Sequence, residues 1–200
     1  MYAKPIQRLI AAFTRLPSVG HRTAERFSFY LLKSGKKEVA ELTLALKRLI
    51  ETIKSCETCW DFSDQSPCHI CSDKTRDQKT ICVVAEPQDL HVIEHMGIYH
   101  GQYHVLRGTF SPDTEDPLRC IKIPELLKRI ENTTITEIIL ALNPDLPGET
   151  TMMFLEKQLQ DKRKDMKVSR LARGLPMGSD LQYADEITLG SAFKHRTPTH

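Results

Sequence analysis

Two hundred residues allow one large domain or two small ones, and an apolar fraction of 40% suffices to bury a core, which excludes a disordered chain. No apolar leader and no long apolar run is found, which points to a globular, soluble protein of the reducing cytoplasm with no membrane partner. The net charge of +2 conceals a split: residues 1–54 carry eleven Lys/Arg against four Asp/Glu, a net of +7, and residues 55–200 carry seventeen against twenty-two, a net of −5. A basic part ahead of a mildly acidic body suggests a polyanion-binding arm; the alternative is a solvated helical surface with excess Lys and Arg.

In chain order, residues 3–16 place Ile6, Leu9, Ile10 and Phe13 at helical spacing, with Lys4, Arg8 and Arg15 on the other face. Pro17-Ser18-Val19-Gly20 ends this helix: Pro17 cannot continue the hydrogen-bond ladder, and Gly20 is read as allowing a backbone conformation or an approach that a side chain would block. A second helix follows, with Ala24, Phe27 and Leu31 on its buried side and Arg22 and Arg26, four apart, on the other. A third, about residues 36–54, is expected to bury Val39, Leu42, Leu46, Leu49 and Ile53. The string LPSVGHRTAERF resembles the helix-hairpin-helix motif of sequence-nonspecific DNA-binding proteins, with Ser18 where glycine is usual. Hairpin amides and the start of the second helix would face a phosphate, and Arg22 and Arg26 would neutralise its neighbours. No such contact reads a base edge. The DNA-binding set is therefore Gly20, Arg22 and Arg26, with Lys4 and Arg8 beside them; an ordinary helical turn is the competing reading.

Cys56, Cys59, Cys68 and Cys71 then stand as C-x2-C-x8-C-x2-C, the spacing of a structural zinc site in which two thiolate pairs close a tetrahedral shell. Two disulfides are the alternative, disfavoured in a reducing compartment. His69, inside the second pair, is read as a bystander, and Cys82 and Cys120 as free buried thiols.

Beyond the cysteines, apolar runs alternate with helical patterns. Strands are expected at 81–85, 103–106, 137–142 and 168–171, and helices at 90–96, 123–130 and 149–160; residues 108–118 read as an exposed excursion. This order predicts a mostly parallel α/β sheet with helices on its faces, and in that class functional groups gather at the carboxyl ends of strands. Glu86 ends the first strand, and Asn143 and Asp145 the central one.

The helix-hairpin-helix, the four-cysteine segment, a strand ending VVAEPQDL, another ending IILALNPDLPGETT and the tail SRLARGLPMGSDLQYADEITL together resemble the RecR family of bacterial recombination mediators over essentially the whole chain. The resemblance implies four segments: 1–54 helix-hairpin-helix, 55–78 zinc finger with one structural Zn2+ per chain, 79–173 a Rossmann-like Toprim domain, and 174–200 a strand/helix tail, likened to a Walker B strand and read as oligomeric. It further implies a non-enzymatic role in recombinational repair of DNA damage: binding duplex and gapped DNA, acting with RecO and RecF, and loading RecA on single-stranded gaps covered by single-strand-binding protein. Protomers would form a dimer or a tetramer ring, and the protein would lie with the nucleoid. Toprim enzymes hold Mg2+ on a glutamate and a D-x-D pair; here Glu86 is present, but the pair reads Asn143 and Asp145, and Pro147 replaces a usual glutamate. The resemblance also implies that the acidic Toprim face docks RecO, and Glu86, Asp89 and Asp145 are assigned to it; surface carboxylates without a task, or a weakly held ion, are the other readings of these acids, and a Mg-dependent nuclease or topoisomerase-like enzyme is the alternative function. No phosphate loop of the Gly-x4-Gly-Lys-Ser/Thr type occurs, so an ATPase has no support.

Overall fold

The computed structural model describes residues 2–196; residue 1 of the expected first segment and residues 197–200 of the last lie outside the described residues. The chain divides into two compact units, Met1–Ile53 and Lys54–His200.

The first unit holds α1 (Lys4–Phe13), α2 (His21–Ser34) and α3 (Lys36–Thr52). Ile10 and Ala24 are buried between α1 and α2, and Phe13 meets Phe27 edge to face at 5.8 Å. Tyr2 adds an edge contact to Phe29 at 5.2 Å and hydrogen-bonds Glu25. Gly35, at φ +91°, reverses the chain between α2 and α3, a conformation open to glycine. Two expectations fail here. Phe27 covers Phe13 with one edge only and is 37% exposed, and α3 buries nothing: Val39, Leu42, Leu46 and Leu49 all remain exposed. Periodicity finds an apolar stripe, but three helices leave this one uncovered in the single chain.

The hairpin also departs from its reading. Gly20 has an ordinary extended conformation (φ −77°, ψ 168°), and a Cβ added there would meet nothing within 4 Å. The left-handed residue is Ser18, at φ +62°. A side chain costs about 1–2 kcal/mol in that region, which explains why glycine is the usual residue at this turn position.

The second unit begins with the antiparallel pair β1 (Lys54–Ser55) and β2 (Phe62–Ser63) and the short α4 (His69–Ser72), which carry the cysteines. There follow β3 (Thr80–Val84), α5 (Pro87–His95), β4 (Gln102–Val105), α6 (Pro117–Cys120), α7 (Ile123–Arg129), β5 (Glu137–Ala141), α8 (Leu146–Lys162) and β6 (Lys167–Arg170). A 3-10 turn (Leu181–Tyr183) and α9 (Glu186–Lys194) make the described tail helical. The four longer strands form one parallel sheet in the order β4-β3-β5-β6. Period-two alternation splits its side chains: Ile81, Val83, Ile138 and Leu140 pack with Leu126 of α7 and Leu155 and Leu159 of α8, whereas Cys82, Val84, Tyr103 and Val105 pack with Leu90 of α5 on the other face. Each such buried aliphatic side chain contributes about 1.5–3 kcal/mol.

Four local readings change, the first being α5, which starts at Pro87, three residues early. α8 starts at Leu146, three residues early, because Asp145 caps it and Pro147 is tolerated in its first turn. The 108–118 excursion is anchored by the buried Phe110, whose amide donates to Thr151 Oγ1 at 3.1 Å. Cys82 is buried, which pushes its thiol up to about 12, but Cys120 is exposed at the end of α6.

Replacing Ser18 by glycine relieves the left-handed strain and adds unfolded-state freedom, leaving a net gain of about 0.5–1 kcal/mol. Urea unfolding of the Ser18→Gly chain is expected to show that gain; a loss of stability would show that the serine side chain has a compensating role.

Candidate metal centre and strand-end acids

The finger is built by two tight knuckles. Trp60 N donates to the Cys56 carbonyl at 2.9 Å, Cys56 N to the Asp61 carbonyl at 2.8 Å, and Ser72 N to the Cys68 carbonyl at 2.9 Å. These turns aim four sulfurs at one point: the Sγ atoms of Cys56, Cys59, Cys68 and Cys71 all lie within 4.8 Å of one another. Cys59 and Cys68 stand 3.5 Å apart, unbonded. A tetrahedral zinc with bonds of about 2.3 Å sets its sulfurs about 3.8 Å apart, so the four residues fit the ion. Cys56, Cys59 and Cys68 are buried, and Cys68 N donates to Cys56 Sγ at 3.3 Å. The hydrogen bond between Cys59 and Cys68 pushes the first thiol up and draws the second down. His69 faces solvent and contacts Gln65 and Asp64.

The finger rests on the edge of the parallel sheet. Val105 N on β4 donates to the Cys59 carbonyl at 2.7 Å, which covers an otherwise open strand edge. Trp60 and Ile70 pack on the cluster of Val84, Leu90, Tyr103 and Val105. Three cations from the sheet region close over it. Arg107 Nε donates to the Trp60 carbonyl at 2.6 Å and Nη2 to Ser55 Oγ at 3.1 Å, with the guanidinium 3.5 Å over the Phe62 ring. Lys122 Nζ lies 4.0 Å from the Trp60 ring centre. Arg129, at the end of α7, donates to the carbonyls of Thr58 and Tyr103. Trp60 and Arg107 both take φ +66°, strain that this contact holds in place. None of the three cations was singled out from the sequence: they lie 47 to 71 residues from their finger partners, and nothing local marks them.

The strand-end acids come together as the parallel sheet requires. Val84 pairs with Ala141, so Glu86 and Asn143 each stand two residues past the last registered pair of the neighbouring strands β3 and β5. Glu86 is exposed, and its amide donates to the Asp89 carboxylate at 3.0 Å, which caps α5. Asp145 caps α8 by accepting from Gly148 N at 2.8 Å. Gly148 is needed there, since a Cβ would come within 2.0 Å of the Asn143 carbonyl. All three acids thus take part in helix capping, Glu86 and Asp89 in a reciprocal box at α5 and Asp145 at α8. Along β6 and the start of the tail, Arg170 forks onto Glu156 at 2.5 and 2.6 Å and Arg173 pairs with Glu149.

Four family models match the chain: RecR, helix-hairpin-helix over residues 6–50; the RecR four-cysteine zinc finger domain over 53–73; Toprim domain over 79–172; and RecR, C-terminal over 174–197. A helix-hairpin-helix ahead of a four-thiolate finger and a Toprim sheet defines a DNA-repair protein of the recombination-mediator class, with one structural zinc site. The chain belongs to the RecR family. Among the described residues, no helix is long and apolar enough to cross a membrane.

Structural zinc contributes on the order of 10–16 kcal/mol of apparent binding energy coupled to folding. Protein purified without added metal is expected to carry about one zinc per chain, and Cys59→Ser to unfold the finger and lower the yield. Elemental analysis checks this; zinc below a tenth of the chain concentration, with thiols open to modification, would contradict it.

Proposed function

We propose that the protein is a non-enzymatic mediator of recombinational DNA repair that holds the DNA backbone through its helix-hairpin-helix and works with RecO and RecF to load RecA on gaps covered by single-strand-binding protein. The observation that carries this reading is the first turn of α2. No side chain caps its amides, and Arg22 and Arg26 stand exposed one turn apart on the same helix. An uncapped helix start beside two exposed cations suits a phosphate and reads no base. Lys4 and Arg8, both exposed on α1 in the same unit, extend the positive surface. Gly20 serves by leaving the hairpin open to the backbone of a ligand, since nothing surrounds the place its side chain would take.

The uncovered stripe of α3 supports assembly. Leu46 and Leu49 are 55% and 56% exposed and Ile50 83%, a cost that a second copy of the chain would remove. A dimer or tetramer ring built this way would surround duplex or gapped DNA near the nucleoid without sequence preference. The acids at the strand ends support docking over catalysis. Asp89 and Asp145 already cap α5 and α8, and Asn143 withholds one of the carboxylates that a two-metal site uses. Glu86, with Asp89 and Asp145 behind it, then offers an acidic face to a basic surface of RecO.

Changing Arg22 and Arg26 together to alanine is expected to weaken binding to all DNA sequences alike and to flatten the log–log salt dependence by roughly two units, one per lost phosphate contact. Fluorescence anisotropy across a salt series reads this directly; an unchanged slope with unchanged affinity moves the DNA path elsewhere.

For Glu86→Ala, DNA binding by the isolated protein is expected to stay within about twofold, while association with RecO and RecA loading on covered gaps fall by about tenfold or more, as on losing a charged interface contact. The same assays include Mg2+ and Mn2+, with the DNA checked for cleavage or relaxation. A metal-dependent change in covalent structure that vanishes in Glu86→Ala would restore the enzyme.

A further inference from the structure

The finger raises an electrostatic question that its four ligands do not answer. Four thiolates around one divalent cation leave a net charge of about −2, and here three of the four sulfurs are buried. A buried charge persists only where opposite charge or hydrogen bonds meet it. Within the finger, the Cys68 amide donating to Cys56 Sγ supplies one such contact. The opposite charge comes from outside the finger, at the end of α7.

Arg129 is partly buried there and donates to two backbone carbonyls, one on each side of the junction. Thr58 belongs to the first knuckle, between Cys56 and Cys59, and Tyr103 to the edge strand β4. Burial pushes the guanidinium pKa down, and its contact with the Thr58 carbonyl sets the charge beside the first pair of ligands, since Thr58 lies between Cys56 and Cys59 in the chain. Among the described residues it makes no ion pair with a carboxylate, and its donors go to the two carbonyls. That distinguishes it from Arg76, Arg163 and Arg170, which pair with Glu94, Asp165 and Glu156. Arginine cannot shed its proton under any ordinary condition. A fixed cation left beside neutral thiols would be costly, and beside a thiolate-bound ion it is matched.

We propose that Arg129 is the counter-charge of the zinc–thiolate centre, a positioning residue that makes metal retention by the finger depend on α7 of the sheet domain. Its two carbonyl contacts hold the guanidinium at the junction, and its positive charge there would offset the negative charge of a four-thiolate zinc centre. Arg129 ties the knuckle to the sheet edge through the Thr58 and Tyr103 carbonyls, so retention of a bound zinc and the docking of the finger on β4 would depend on the same residue.

The test measures zinc affinity by chelator competition on the full chain, for the wild type and three variants. Arg129→Met removes the charge and keeps most of the volume. Arg129→Lys keeps the charge and loses the fork. Arg163→Met removes an arginine that clamps the α7–β5 loop through the carbonyls of Ile130, Asn132 and Ile135, and controls for lost stability alone. Outer partners of metal ligands commonly change affinity by about 10–100-fold, and Arg129→Met is expected to weaken zinc by that amount, with Arg129→Lys and Arg163→Met within about threefold of wild type. Wild-type affinity in Arg129→Met overturns the proposal. So does equal weakening in Arg129→Lys, which would assign the effect to hydrogen bonds, or in Arg163→Met, which would assign it to general stability. If Arg129→Met does not accumulate, Arg129→Lys decides: affinity within threefold of wild type supports the counter-charge, and a tenfold loss overturns it. A wild type without zinc would instead refute the finger assignment itself.

Discussion

The edge of the parallel sheet at β4 is the constraint around which the second unit is organised. A parallel sheet buried on both faces still exposes unpaired amides and carbonyls along its outer strand, a template for unwanted pairing. Here the finger covers that edge: the Cys59 carbonyl takes the Val105 amide, and Arg129 takes the Tyr103 carbonyl. Because the covering element is a metal knuckle of about twenty residues with almost no core of its own, its shape must come from four sulfur–metal bonds. The metal site, the strained backbone at Trp60 and Arg107, and the cations over Trp60 and Phe62 are parts of one joint. The zinc does no chemistry on a substrate; it makes the sheet edge inert and fixes what lies beyond it.

At the carboxyl ends of β3 and β5, the parallel topology gathers acids at the starts of two helices. Registered pairing brings the ends of β3 and β5 side by side, and each must turn at once into a helix whose first amides need acceptors. Asp89 and Asp145 meet that need. A fold that elsewhere uses such positions to hold divalent cations spends two carboxylates here on its own helix starts, and Asn143 removes a third. Glu86, exposed at the end of β3, shares a capping box with Asp89 at the start of α5.

The first unit follows a different logic. Its two-helix core is small, held by Ile10, Ala24 and a few aromatic edges, and α3 leaves its apolar stripe in water. Apolar area of that kind is covered by association in most soluble proteins. Almost all of the basic excess of residues 1–54 lies on the same unit, which ends at Ile53.

Much of this was legible in the sequence, for local reasons. The cysteine spacing alone names the ligand set, because C-x2-C is a single turn of backbone and two such turns suffice for one tetrahedral ion. Runs such as Ile81–Val84 and Ile138–Ala141 read as strands since both faces of a parallel sheet are buried, and the hairpin between α1 and α2 is announced by Pro17. Reading failed where a residue's role depends on a distant neighbour. Gly20 drew attention by type, but the left-handed turn falls on Ser18, since φ is decided by how α1 hands the chain to α2. Val39, Leu42, Leu46 and Leu49 have core spacing, and whether a core exists for them is a property of what packs there. Arg107, Lys122 and Arg129 look like any surface cations in the sequence; only the fold carries them across some 47 to 71 residues to the finger, where the low polarity of the joint turns ordinary charges into structural ones.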